Sequence, residues 1–168
     1  MEAIVYTSNT GSTARYAQLL GQATGLNVYS AEEAKKKLAA QTEIIYLGWL
    51  MAGGVTGYQD AAKRYSIRAV CAVGMGKTGA QTDGVREKNA IPADIPLFTL
   101  QGNFDVKKLR GVYRIMMSLM VKTAGKALAE KADRTPDEED MLDMMRNGGE
   151  RVSMDNLNAV LEWYGSQK

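Results

Sequence analysis

A chain of 168 residues with 45% hydrophobic content has the size and apolar supply of one domain with one continuous core. Its 21 lysines and arginines against 19 acidic residues leave a formal net charge of +2, too small for the footprint of a general nucleic-acid binder. Histidine is absent and cysteine occurs once, which removes His-dependent triads, the commonest zinc ligand and any internal disulfide, so chemistry has to come from a cofactor or from carboxylates.

The first residues, Met1 to Tyr6, read as a strand and not as a signal peptide, and no apolar run approaches the roughly 18–20 residues of a membrane span. A cytoplasmic location is the expectation. From there, short β-type runs alternate with helical segments: 3–7 then 13–24, 26–29 then 31–38, 43–50 then 57–65, followed by strands at 67–74 and 96–101 and a closing helix at 155–164. The runs Ile44-Ile45-Tyr46-Leu47 and Ala69-Val70-Cys71-Ala72-Val73 lack in/out alternation, as befits central strands covered on both faces, with Cys71 a small packing residue. Ser30-Ala31-Glu32-Glu33 and Thr135-Pro136-Asp137-Glu138 carry the capping-box pattern of helix starts. The alternation predicts an α/β fold, a five-stranded parallel sheet of order 2-1-3-4-5 between two helical layers, spanning 1–168 as one domain. In that order ligands sit beyond the carboxyl ends of strands 1, 3 and 4, where the loops begin at Thr7, Trp49 and Gly74.

The first of these loops is Ser8-Asn9-Thr10-Gly11-Ser12-Thr13, set between a strand and a helix. Hydroxyls and backbone N–H groups converge there on the positive end of a helix dipole, so a dianionic monophosphate can be held without lysine or arginine. It is not a Walker loop, and it lacks the Gly-x-Gly-x-x-Gly spacing of a dinucleotide site. The bland alternative is a hydroxyl-rich N-cap turn with no ligand.

The loop resembles that of the flavodoxin family, Ser/Thr-x-Thr-Gly-x-Thr, at Ser8, Thr10, Gly11 and Thr13. The resemblance implies a flavodoxin-like three-layer sandwich binding FMN and passing electrons to redox partner proteins, with no metal and no catalytic acid or base. The ring would lie between the other two loops. Trp49, Leu50, Met51, Ala52, Gly53 and Gly54 offer an aromatic face and flexible peptides for the ring edge; Gly74, Met75, Gly76, Lys77, Thr78 and Gly79 form the opposite side. The third loop has no tyrosine for the outer ring face, leaving Met75, Tyr58 or Tyr113 as substitutes. For Trp49 the alternative is core packing, and for Lys77 a solvated charge.

After strand five, Gln101 to Asp105 lead into 106–128, where Leu109, Val112, Tyr113, Met116, Met117, Met120 and Ala124 recur at helical spacing among Lys107, Lys108, Arg110, Arg114, Lys122 and Lys126. This basic, methionine-rich helix, inserted before the C-terminal one, resembles that of the flavodoxin-like bacterial protoporphyrinogen oxidases and related flavodoxin-domain proteins, through Gly102 to Asp105 and Tyr113-Arg114-Ile115-Met116-Met117. The oxidases' long basic insertion near strand five is missing. The resemblance implies, as an alternative to a carrier, an FMN-dependent oxidoreductase acting on a tetrapyrrole or quinone. For the helix itself three readings stand open: a core helix, a partner-docking surface, and a peripheral membrane or quinone contact through 106–126. The acidic stretch 133–143 is expected to form a separate solvated helix ending at Asn147-Gly148-Gly149.

Overall fold

The computed structural model describes residues 1–103 and 111–167, without the side chain of Tyr113. The helix residues Lys107, Lys108, Leu109 and Arg110 named above therefore lie outside the described residues.

The chain folds as an α/β structure around a mostly parallel sheet. Strands β1 (Ala3–Thr7), β2 (Asn27–Ser30), β3 (Glu43–Met51), β4 (Gly54–Val55), β5 (Ser66–Gly74) and β6 (Leu97–Gln101) order themselves β2-β1-β3-β5-β6, with β4 paired only to β3. The helices are α1 (Ser12–Thr24), α2 (Ala31–Lys37), α3 (Tyr58–Arg64), α4 (Thr82–Asn89), α5 (Gly111–Glu130), α6 (Pro136–Asn147) and α7 (Asn158–Gly165). The order corrects the expected 2-1-3-4-5. Right after β3 the chain turns back on itself, and the two residues of β4 add an antiparallel sixth strand ahead of the last two parallel ones. Helix α4, short, highly charged and with Val85 as its one buried apolar side chain, was not among the expected helices.

Each face of the sheet carries its own core. Alternation along β1 sends Ala3 and Val5 to one face, with Tyr46, Val70, Tyr58 of α3 and Val85 of α4. Ile4 goes to the other, with Ile45, Leu47, Cys71 and Leu20 of α1 and Val160 of α7. The central strands β3 and β5 are buried on both sides along most of their length, as their unbroken apolar runs require. A register shift between Ile44 and Ile45 sets Arg68 outward, where its guanidinium lies 3.6 Å from the Glu43 carboxylate.

Parallel pairing brings Thr7 level with Gly48, Trp49 with Val73, and Gly74 with Gln101. The loops that leave these strands therefore open at one edge, beside the place where the order reverses between β1 and β3.

Both expected capping boxes form: Ser30 with Glu33 at α2, and Thr135 with Glu138 at α6. The acidic helix is not simply solvated, because α6 buries Leu142, Met144 and Met145, the two methionines in a cluster with Met117, Met120, Val121 and Ala124 of α5. Nor is the expected apolar face of α5 a single face: that inner side excludes Val112 and Met116, which are exposed.

Candidate functional site

A cavity of about 390 Å³ occupies the loop-bearing edge of the sheet. Its floor is the turn after β1, where Asn9, Thr10, Ser12 and Thr13 line it. Gly11 is the N-cap of α1 at φ 103°, a left-handed conformation that carries no Cβ penalty for glycine. Among the described residues no side chain caps this helix, and no acidic residue occupies its first turn, so its leading N–H groups and dipole are uncompensated beside the cavity. In the same turn, though not itself lining the cavity, Ser8 has a buried hydroxyl oxygen with no hydrogen-bond partner among the described residues. Leaving such an atom unpaired costs about 1–3 kcal/mol, which a bound acceptor or donor would recover.

One wall is the β3–β4 hairpin, lined by Trp49, Leu50, Met51, Ala52 and Gly53. Its two turn residues, Ala52 and Gly53, both have positive φ, at 47° and 80°, as a two-residue turn joining right-twisted strands requires. Alanine pays about 1–2 kcal/mol for that conformation. Helix α4 holds it in place. The Lys88 ammonium donates to the Ala52 carbonyl, and the Asn89 amide nitrogen donates to the Gly53 carbonyl at 2.9 Å. The same Asn89 accepts the Val55 N–H at 2.7 Å and donates to Val85 O at 2.7 Å, so its buried amide is fully used. With their carbonyls turned to α4, the peptides after Ala52 and Gly53 point their N–H groups the opposite way.

The opposite wall starts at Val73, Gly74, Met75 and Gly76 and takes in Gln81. Beyond Gly76 the loop turns to other business. Thr78 accepts the Gln101 N–H at 3.0 Å and sits 2.8 Å from Asn156 Oδ1, Gly79 N–H donates to Thr99 O at 3.0 Å, and Lys77 pairs with Asp137 of α6 at 3.0 Å in an exposed ion pair. Of the residues expected at the site, Ser8, Gly11, Gly54, Lys77, Thr78 and Gly79 do not line the cavity, although Ser8 and Gly11 belong to the turn that forms its floor. Tyr58 is unable to cover a ring there, because it is buried in the core with its ring 6.5 Å from that of Tyr46.

Tyr46 ties two of these parts together. Its hydroxyl donates to Thr56 O at 2.7 Å, just past the hairpin, and lies 2.9 Å from the Thr7 hydroxyl at the head of the floor turn. With its single proton committed to Thr56, Tyr46 accepts from Thr7. Burial pushes the Tyr46 phenol up to about 12, so it stays a neutral donor at all ordinary pH.

The remaining lining was not foreseen as part of a site. Gly102 and Asn103, past the end of β6, close the floor, and Asn103 N–H donates to the Ser12 hydroxyl at 3.0 Å. A Cβ on Gly102 would stand 3.2 Å from Ser12 Cβ and 2.9 Å from Val73 Cγ1, so only glycine permits this approach. Asn103 Oδ1 accepts from Arg151 and Val152 N–H at 2.6 and 3.0 Å, joining the floor to the segment before α7. Overhead, Met116, Met117 and Met120 of α5 and Met141 of α6 form a roof. With Met51 and Met75, six of the chain's 10 methionines border this one cavity, and none of the described residues that line it carries a charge.

The α5–α6 arm that supplies the roof is moored by polar contacts outside the cavity. Arg151 reaches Asp140 at 3.0 Å and Asp143 at 3.6 Å, and Gln101 Nε2 donates to Asp140 at 2.7 Å. Burial would raise the Asp140 carboxyl, but the Arg151 and Gln101 hydrogen bonds together outweigh it and hold the group below its ordinary value.

Among the described residues no group of three or more acidic or cysteine side chains is placed to hold a metal ion, and no helix is long and apolar enough to cross a membrane. In comparisons with known proteins, no family model, no curated protein and no solved structure matches the chain.

Proposed function

We propose that this protein is a flavodoxin-like FMN-binding electron carrier, taking electrons from one redox protein and passing them to another. The five parallel strands would correspond to the doubly wound order of that fold, with β4 as an added hairpin. The observation that carries the reading is the buried, unpartnered Ser8 hydroxyl beside the uncapped start of α1: a polar floor, without cations, that suits a dianionic monoester.

The residues fit the group. Ser8, Thr10, Ser12, Thr13 and the leading N–H groups of α1 would hold the phosphate. Trp49 would lie against the ring, the N–H groups of the Ala52-Gly53 turn would serve its polar edge, and Gly74 to Gly76 would allow close approach on the other side. Bound FMN supplies the capacity to accept and release one or two electrons. The chain's part is to grip the phosphate, fix the turn and keep water from the ring with the methionine roof.

The roof also favours a second reading, an FMN-dependent oxidoreductase that admits a small acceptor beneath α5. The uncharged lining suits a neutral quinone; the carboxylates of a tetrapyrrole would find no counter-charge there.

Titration of the apoprotein with FMN and with riboflavin tests the proposal. FMN is expected to bind at least about a hundredfold more tightly, the equivalent of a few charge-assisted hydrogen bonds. Ser8→Ala is expected to weaken FMN about tenfold while stabilising the apoprotein by about 1 kcal/mol, since it removes an unpaired buried hydroxyl. Equal affinity for both flavins, or none for either, overturns it.

A further inference from the structure

We infer that the outward face of α5 is a docking surface for an anionic lipid bilayer. The inference concerns a face of the helix that shares only Met116 with the cavity roof, and it does not depend on the identity of the cofactor.

Four apolar side chains stand in solvent on this face. Val112 is 75% exposed, Ile115 73%, Leu119 62% and Met116 43%. Their spacing of i, i+3, i+4 and i+7 lines them up as one stripe over two turns. Single exposed apolar residues need no explanation, but four contiguous ones on a helix whose inner face is already satisfied by Met144 and Met145 do. Burial is favourable in proportion to the apolar area removed from water, and four such side chains hold enough unrealised apolar surface for a contact of about micromolar strength.

The charges on the helix name the occupant. Continuing the stripe C-terminally, the same face presents Lys122 and Lys126, both exposed. Among α5 residues Glu130 alone is acidic, and its ion pair with Lys126 is long, at 3.7 Å, and open to water. An aliphatic stripe followed by flexible lysines is the composition of a helix that lies in the headgroup region, its apolar side chains dipping into the acyl boundary while the ammonium groups meet lipid phosphates. A protein-binding face would more commonly present an aromatic anchor, and the described side chains of this stripe include none. Met116 belongs both to the stripe and to the cavity lining, so a bilayer seated here would adjoin the cavity wall.

The test uses the full chain and sedimentation with vesicles of phosphatidylcholine, alone or mixed with phosphatidylglycerol. Wild-type protein is expected to pellet with the anionic vesicles at low salt, to be released as salt rises, and to stay in solution with neutral ones. Ile115→Glu with Leu119→Glu is expected to reduce binding about a hundredfold at unchanged thermal unfolding. Lys122→Glu with Lys126→Glu, which leaves the stripe intact, is expected to reduce it about tenfold and decides between the outcomes if the first variant fails to fold. The inference is overturned if wild type never pellets with anionic vesicles, or if either folded variant pellets as wild type does. It is also overturned if the stripe mediates lipid-independent self-association that Ile115→Glu abolishes, which would assign the face to a second copy of the chain.

Discussion

Asn89 accepts the backbone N–H of Val55 at 2.7 Å, and through this bond a helix absent from the expected pattern governs the hairpin that walls the cavity. The Asn89 side chain is buried and bonded on both of its polar atoms, to Val55, Gly53 and Val85. Asn89→Ala would leave the Val55 N–H and Gly53 carbonyl without these partners. The expected loss is about 2–4 kcal/mol of stability, read from the midpoint of denaturant unfolding. On the flavin-binding reading proposed above, FMN affinity falls as well, whereas Asn89→Asp, which keeps the acceptor for Val55, should recover part of the stability.

Tyr46→Phe tests the tie between the floor turn and the hairpin. The ring stays in its packing against Tyr58, but Thr56 O and the Thr7 hydroxyl lose their shared partner. A cost of about 1–2 kcal/mol is expected, with faster hydrogen exchange of the amides around Thr7 and Thr56 and little change elsewhere.

Acid should detach the arm that carries the roof before it unfolds the sheet. The Asp140 carboxyl is held below its ordinary value in the folded state, so its contribution is present above the unfolded value of about 3.9 and is lost as pH falls through the lower folded value. Glu138, lowered by its Lys131 and Thr135 hydrogen bonds, acts in the same direction at the start of α6. Limited proteolysis with an acid-active protease should cut between α5 and α6 at pH values where the sheet still resists, and Arg151→Met should move that threshold upward in pH.

Cys71 is fully buried, and burial pushes its thiol up to about 12. Alkylating reagents are therefore expected to modify it only as fast as the protein unfolds, and the modification rate should rise with denaturant in step with unfolding.

The central sheet and the floor turn are legible in the sequence because each is written locally. Unbroken apolar runs announce β3 and β5, and Gly11 follows a hydroxyl cluster directly behind a strand. Helix α4 is not legible: Gln81 at its start has positive φ and no side-chain cap, and Val85 is its single apolar side chain, so neither cap nor periodicity marks it. The two residues of β4 are too few for any pattern, which is why the strand order shifts. In the third loop the glycines suggest openness from end to end. Yet Thr78 and Gly79 are drawn to β6 by contacts with Gln101 and Thr99, partners distant in the chain that only the fold brings near. The roof methionines are visible as a stripe, but which side of α5 meets the cavity depends on α6, and α6 reads as polar until Leu142, Met144 and Met145 are seen facing inward.

The two halves of the cavity differ in what they tolerate. Below, backbone amides and a helix terminus are fixed by the sheet and cannot adjust without unfolding it. Above, unbranched thioether chains can change rotamer at little cost while the backbone stays put. A guest anchored by one invariant end could thus vary in the shape of the other, and substitutions among Met116, Met117, Met120 and Met141 offer a way to reshape what is admitted while the anchor remains untouched.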